Sequence, residues 1–269
     1  MIKDFSQLLG RIEVQTEPMT IILAGADDSS IAALEDAKGL WGINYIATND
    51  AKEAVAHIKQ GRGNVLMKGS MPTGELLKAV VDKQEGIGKG GLMTHIAAFA
   101  CSAYHKLIFI TDGGMVAAPN LHQKEEILKN ALDFMGKLGY VQPKVAAICA
   151  AEAVNPKIVE TADAAELTSR AANGDFGDII FEGPISFDLA VSKSSAAKKG
   201  FESRIAGETD LLLMPNITSG NALGKCLVYM AGGKMAGCVL GAAVPIVLTT
   251  RGATIEEKIL SLALALSAK

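Results

Sequence analysis

The chain has 269 residues, 49% of them hydrophobic and 20% charged, with a formal net charge of −3 at pH 7. Its mean hydropathy is +0.26 and its pI about 5.9. This balance supplies apolar side chains for a sizeable core and excludes a disordered or collagen-like chain. It leaves no basic footprint for nucleic acid or an anionic membrane surface, and aromatics at 5% give no stacking platform for bases. The 28 glycines point instead to tight turns and to backbone that approaches a small ligand closely.

From the N-terminus, residues 1–11 mix Lys3, Asp4 and Arg11 with apolar positions and lack the unbroken apolar core of a secretory leader. No apolar run approaches the ~20 residues needed to span a bilayer. The expected compartment is the cytoplasm. Cys101, Cys149, Cys226 and Cys238 lie far apart in apolar contexts, which predicts buried, reduced thiols rather than a disulfide framework or a zinc site.

Short β-rich runs at 20–24, 64–67, 107–111, 145–150, 178–181, 210–214, 236–240 and 246–249 alternate with helical patterns. The helical stretches include 73–81, 123–138, 164–172, 189–199, 221–231 and 255–267. Alternation of this kind predicts an α/β fold of βαβ units around mainly parallel sheets, whose buried strands read as continuous apolar runs. Several runs end on a polar or Gly/Pro step, such as Met67-Lys68-Gly69, Thr111-Asp112-Gly113, Met214-Pro215-Asn216 and Thr249-Thr250-Arg251. Open α/β sheets bind ligands outside the carboxyl ends of their strands, so the chemistry is sought there.

Some patterns carry little. Gly86-Ile87-Gly88-Lys89-Gly90-Gly91 has the letters of a dinucleotide fingerprint, but that fingerprint must follow a strand and open a helix. Here the preceding residues 76–84 read as helix, and the stretch reads as a flexible joint. His57, His95, His105 and His122 show no spacing for a metal, and His95 reads as a hydrogen-bonded structural residue.

Other patterns carry more. Lys68-Gly69-Ser70-Met71-Pro72-Thr73 lies between a strand and a helix, where backbone N–H groups and Lys68 favour an anion. Thr73 is equally suited to cap that helix. Residues 210–225 read DLLLMPNITSGNALGK. Asn216 and Asn221 offer polar groups there, Gly220 permits close approach, and Lys225 follows Asn221 by one helical turn. Residues 245–257 read PIVLTTRGATIEE. Thr250 and Arg251 stand at a strand end, and Arg251 has the planar fork suited to phosphate. Glu256 and Glu257 fall in the next helix's first turn, where carboxylates also favour the macrodipole.

Taken together, these stretches resemble the phosphate acetyl/butyryltransferases. The likeness to the butyryl branch is carried by Ala151-Glu152-Ala153-Val154-Asn155-Pro156-Lys157 with Thr161, Asp163 and Ala164. It continues through Glu182-Gly183-Pro184-Ile185-Ser186-Phe187-Asp188-Leu189-Ala190-Val191, Lys198-Lys199-Gly200, Ala206-Gly207 and Pro215 to Lys225. Lys68-Gly69 with Thr73, and Thr111-Asp112-Gly113, stand in the right order. The likeness runs from about Asn64 to the C-terminus. Before it, the N-terminal region is shorter than the family's usual one, with residues 27–50 bridging what ordinarily holds another strand and helix.

The resemblance implies two α/β domains with mainly parallel sheets, similar to isocitrate and isopropylmalate dehydrogenases, with the active site in a cleft between them. Domain I would comprise residues 1–97 and 243–269, and domain II residues 98–242. The implied reaction moves a short-chain acyl group, butyryl or branched, reversibly between coenzyme A and inorganic phosphate, giving acyl phosphate. Coenzyme A and phosphate are then substrates, with no tightly bound cofactor and no metal. A homodimer or higher homo-oligomer is implied, with neither nucleic acid nor membrane as partner. The family's reacting Ser-Arg pair falls on Thr250 and Arg251, and its acidic position on Glu257. Lys68, Gly69, Thr73, Asn216, Gly220, Asn221 and Lys225 would bind substrate. An apolar acyl pocket discriminates weakly, because one methylene is worth ~1–3 kcal/mol. The competing readings are a metal- and NAD-dependent dehydrogenase of the same fold and a catalytically degenerate module that binds coenzyme A.

Overall fold

The computed structural model describes residues 2–13, 18–250 and 252–268. It divides into two compact units, a discontinuous one made of Lys3–His95 with the stretch from Lys234 onward, and an inserted one spanning Ile96–Gly233, with which Ile2 also groups. The discontinuous unit begins with α1 (Phe5–Glu13), β1 (Thr20–Ala24), α2 (Asp28–Trp41), β2 (Asn44–Thr48), α3 (Ala51–Lys59), β3 (Val65–Lys68) and α4 (Thr73–Val80). The chain enters the inserted unit along β4 (Thr94–Ala100), followed by β5 (Ile108–Thr111), α5 (Leu121–Lys137), β6 (Lys144–Ile148) and α6 (Val159–Ala172). That unit is completed by β7 (Ile180–Ile185), α7 (Phe187–Val191), α8 (Lys193–Lys198), β8 (Leu211–Leu213) and α9 (Ile217–Tyr229). The return consists of β9 (Lys234–Leu240), β10 (Ile246–Leu248) and α10 (Ile255–Ser267).

In the discontinuous unit the strand order is β2-β1-β3-β10-β9. The first four strands are parallel and β9 is antiparallel to β10. Ile21, Ile22, Leu23, Leu66, Met67, Ile246 and Val247 are fully buried. Strands covered on both faces select such unbroken apolar runs, each aliphatic side chain contributing about 1.5–3 kcal/mol. β1 leads to the edge strand β2, and the chain then crosses back over β1 to β3. This reversal makes the carboxyl ends of β1 and β3 the topological switch point of the unit, the place where such sheets bind ligands.

In the inserted unit the order is β4-β5-β8-β6-β7. β5, β8, β6 and β7 are parallel, and β4 is antiparallel to β5. Its amino edge holds a buried ion pair. Lys106 Nζ donates to Asp210 Oδ1 at 2.6 Å and to the Glu208 carbonyl at 2.7 Å, while Asp210 Oδ2 accepts from the Lys144 N–H at 2.8 Å.

The mixed α/β fold with mainly parallel strands follows the alternation in the sequence, but several details differ. Residues 27–50 do not merely bridge: they hold α2, capped at either end by Asp27 and Gly42, and the edge strand β2. β4 lies outside the anticipated runs because its THIAAFA sequence is rich in alanine, a weak strand former. The single helix expected at 189–199 is two, separated by Ser192 in extended backbone with its side chain accepting from the Ser195 N–H. The Gly-rich stretch at 86–91 follows a helix and is pinned by the backbone. Ile87 and Gly88 N–H groups donate to the Val80 carbonyl, and the Lys89 N–H donates to that of Gly241. Finally, not every cysteine is buried. Cys149 and Cys238 are, Cys101 is half-buried, and Cys226 is exposed on α9.

Candidate active site

At the carboxyl edge of the discontinuous unit, parallel register sets Ala24 of β1 beside Lys68 of β3. It also sets Lys68 beside Leu248 of β10. The segment Lys68–Thr73 and the residues Thr249 and Thr250 therefore emerge from neighbouring strands at one edge. The loops after β1 and β3 are stitched together. The Gly69 N–H donates to the Ala24 carbonyl at 2.9 Å and the Ser70 N–H to that of Gly25 at 2.7 Å. A Cβ at Gly69 would stand 1.9 Å from the Gly25 carbonyl oxygen, so the position requires glycine for reasons of the loop itself.

Lys68 is 7% exposed and its Nζ donates to the Gly69 carbonyl at 2.8 Å. Thr73 is not a cap. Pro72 occupies the cap position of α4 with no side-chain hydrogen bond, because proline's fixed φ suits the helix start. Thr73 is thus the first helical residue and is exposed.

Thr250 lies two residues beyond β10 and is exposed; Arg251 lies outside the described residues. Glu257 belongs to a capping box. Its Oε2 accepts from the Thr254 N–H at 2.9 Å, and its own N–H donates to Thr254 Oγ1 at 3.1 Å. Two helix-end donors are satisfied reciprocally, and the carboxylate retains a second oxygen as acceptor.

Two groups at this edge escaped the sequence reading. Asp27 caps α2, accepting from the Ser30 N–H at 3.0 Å and the Ser30 hydroxyl at 2.8 Å. Burial alone would raise its pKa, but these bonds and the charge of Lys258 hold the carboxyl below its ordinary value. Lys258, on α10, is buried beside it. Asp27 was detectable in the sequence as a cap, since an aspartate before Asp-Ser-Ser with Gly42 beyond the helix marks both ends of α2. Lys258 carries no such mark, since a lysine in an apolar helix ordinarily reaches solvent.

The carboxyl edge of the inserted unit gathers Asn216, Gly220 and Asn221 against the loop after β5. Asn216 caps α9, its Oδ1 accepting from the Ser219 N–H at 3.0 Å. A Cβ at Gly220 would lie 2.8 Å from both the Asp112 carbonyl oxygen and Gly113 Cα. Asn221 Nδ2 donates to the Gly113 carbonyl at 3.3 Å, and Lys225 is exposed one turn further on. Asp112, 2% exposed, accepts from the Gly114 and Met115 N–H groups, both at 2.7 Å.

Three of the stretches that carried the resemblance meet beside them. Ser186 Oγ lies 2.6 Å from Glu152 Oε1 and 2.8 Å from Asp188 Oδ1. Lys199 Nζ is 3.2 Å from Asp188 and 3.6 Å from Glu152. The serine bond, then the lysine, holds both carboxyls below their ordinary range, while Asp188 raises Lys199. Lys124, Cys149, Glu160 and Met214 line a cavity of about 10 Å³ nearby, room for about one water and too small for a substrate. Burial, and then Glu160, push the Cys149 thiol up to about 12, so it is no nucleophile near neutral pH.

The fold and the gathering of these stretches at carboxyl strand ends define an α/β protein of the class that seats its ligands at such edges. A family model described as phosphate acetyl/butaryl transferase matches residues 29–266, and the chain belongs to that family. It is an acyltransferase. A phosphate butyryltransferase of Clostridium acetobutylicum is 31% identical over 98% of either chain. A probable phosphate butyryltransferase of Bacillus subtilis is 41% identical over 81% of this chain and 73% of its own. The crystal structure of a branched-chain phosphotransacylase from Enterococcus faecalis matches with a TM-score of 0.83 and 30% identity, over 93% of this chain and 98% of that one. A phosphotransacetylase from Streptococcus pyogenes, 15% identical with a TM-score of 0.76 over 98% of each chain, shares the fold.

Proposed function

We propose that the chain transfers a short straight or branched acyl group reversibly between coenzyme A and inorganic phosphate. The observation that carries this reading is the parallel register of Lys68 with Leu248, which sets the Lys68–Thr73 segment beside the strand end leading to Thr250 and Arg251. In the direction of thioester synthesis, the thiolate of coenzyme A attacks the carbonyl of an acyl phosphate. The C–O bond to phosphate then breaks and phosphate leaves. Glu257 takes the thiol proton on the oxygen its capping bond leaves over, because the thiolate is the nucleophile. Thr250 Oγ donates to the developing oxyanion and Arg251 holds the phosphoryl oxygens through its planar fork. Lys68, Gly69, Thr73, Asn216, Gly220, Asn221 and Lys225 complete the substrate contacts. The uncapped start of α4 behind Thr73 suits an anionic group.

The dehydrogenase reading is not favoured, since the family matched is phosphate acetyl/butaryl transferase and the relatives described above include a phosphate butyryltransferase and a branched-chain phosphotransacylase. Coenzyme A and phosphate enter this scheme as substrates, and no step calls on a bound cofactor. No described helix is long and apolar enough to cross a membrane. The proposal extends to a cytoplasmic homo-oligomer with domain I at 1–97 and 243–269 and domain II at 98–242; the two compact units share its plan of one discontinuous and one inserted part, with residues 234–242 grouped instead with the discontinuous one.

The test is release of free thiol from butyryl-CoA by the purified chain, with and without phosphate, extended to acetyl- and isobutyryl-CoA. Phosphate-dependent release is expected. Thr250→Ala should remove about 3 kcal/mol of transition-state stabilisation, and Arg251→Ala and Glu257→Gln should each depress turnover. Release independent of phosphate, or coenzyme A binding without turnover, would overturn the reading.

A further inference from the structure

The first turn of α10 is tied to the capped first turn of α2 by a group that the proposed chemistry leaves unused. Lys258 directly follows Glu257 and is 4% exposed. Its Nζ donates to Ser29 Oγ at 2.7 Å and to Ser30 Oγ at 3.3 Å, and stands 3.9 Å from Asp27 Oδ1. These acceptors are themselves fixed, since Asp27 caps α2 through the Ser30 N–H and hydroxyl. An ammonium group withdrawn from water is costly unless directed hydrogen bonds receive it, and here two hydroxyls do.

The rest of α10 does not need this anchor. Leu260, Leu262, Ala263, Leu264 and Leu266 are buried, and the helix packs on β9 and α2. Apolar burial of that kind is non-directional. The first turn lacks even that, because Thr254, Ile255 and Glu256 are exposed and Glu257 is half-buried. Lys258 is the first fully buried residue of the helix. Its hydrogen bonds demand particular distances and angles and constrain the rotation and register of the turn, together with the exposed ion pair of Glu256 with Lys234 and the Gly237 N–H donated to Ser261 Oγ one turn on.

We propose that Lys258 is a positioning residue for acyl transfer. Docked on Ser29, Ser30 and Asp27, it holds the first turn of α10, from Thr254 to Glu257, against the switch-point edge of the sheet. The proposal rests on the reading of Thr250, Arg251 and Glu257 as the reacting groups.

The test uses the full chain in the phosphate-dependent thiol-release assay, well below the melting temperature of every variant. Lys258→Met is expected to lower kcat on the order of 10- to 100-fold, the cost of misplacing reacting groups by about an ångström. KM for butyryl-CoA and for phosphate should stay within about threefold, the signature of lost transition-state alignment rather than lost binding. Ser29→Ala, at an exposed position outside α10, should lower kcat with the same split, and the double variant should be no worse than Lys258→Met alone. A kcat unchanged in Lys258→Met despite a lower melting temperature would overturn the proposal and leave Lys258 a structural prop. Should Lys258→Met fail to fold, Ser29→Ala decides, and an unchanged kcat there overturns it too. Wild-type protein without phosphate-dependent release would instead strike the acyl-transfer reading, and this one with it.

Discussion

At the carboxyl edge of the discontinuous unit, buried lysines donate to uncharged oxygens, Lys68 to the Gly69 carbonyl and Lys258 to serine hydroxyls. In the inserted unit the corresponding edge is held by acceptors facing the backbone, with Asp112 receiving two N–H groups and Asn216 capping α9. The inserted unit's buried lysines, Lys106 and Lys124, contact carboxylates at 2.6 and 2.7 Å. A lysine neutralised so closely secures a fold. One held by hydroxyls beside the proposed reacting groups, its nearest described carboxylate 3.9 Å away, is the one proposed to aim a helix turn. On the proposal above, the inserted unit's buried cations serve stability and Lys258 serves placement.

The largest effect expected from that contrast is in the inserted unit. Lys106→Met strands Asp210 and should cost about 3–5 kcal/mol in urea unfolding, with kcat of the folded protein unchanged. Gly69→Ala comes next. Its Cβ would meet the Gly25 carbonyl at 1.9 Å, so a loss of about 1–3 kcal/mol should accompany loss of turnover. Gly220→Ala, meeting backbone at 2.8 Å, should cost less, and a reversed order would break the comparison.

Smaller effects sharpen it. Thr254→Ala and Asn216→Ala each remove a helix cap and should each lower stability by about 1 kcal/mol, measured by thermal melting. Equal losses would locate the asymmetry in the lysines rather than in the caps. The smallest effect concerns acid. Because Asp27's folded pKa is depressed, its contribution is complete above the unfolded aspartate value of about 3.9. That contribution is lost as pH falls through the folded value. Asp27→Asn should remove this part of the fall in melting temperature below about pH 4, and an unchanged pH profile would show that the cap does not report on ionisation.

Much of the fold was legible because buried parallel strands announce themselves. Ile21, Ile22 and Leu23, like Leu66 and Met67, form unbroken apolar runs, and Thr254 with Glu257 spells a capping box ahead of an apolar helix. The edge strand β2 was not legible, since its Asn-Tyr-Ile-Ala-Thr run is only partly covered and lacks a sustained pattern. At the candidate site, glycine and proline positions were visible, but their reasons were not. Gly69 and Gly220 are required by approaches to Gly25 and to Asp112 that join distant stretches, and Thr73 gives its capping place to Pro72. Lys258 was hidden for the same reason. Its partners lie some 229 positions away along the chain, and no local spacing records them.

β10 lies between β3 and β9 in the sheet, yet it is synthesised after the whole inserted unit. While the ribosome is still making residues 96–233, β3 has an unsatisfied edge and Lys258 does not yet exist to meet Ser29. Apart from Ile2, the inserted unit is one continuous stretch, free to condense as it emerges, whereas the discontinuous one waits for its last strand and helix. The groups proposed to perform acyl transfer thus come into place only as the chain's final described segments dock, so no partly made chain holds them assembled.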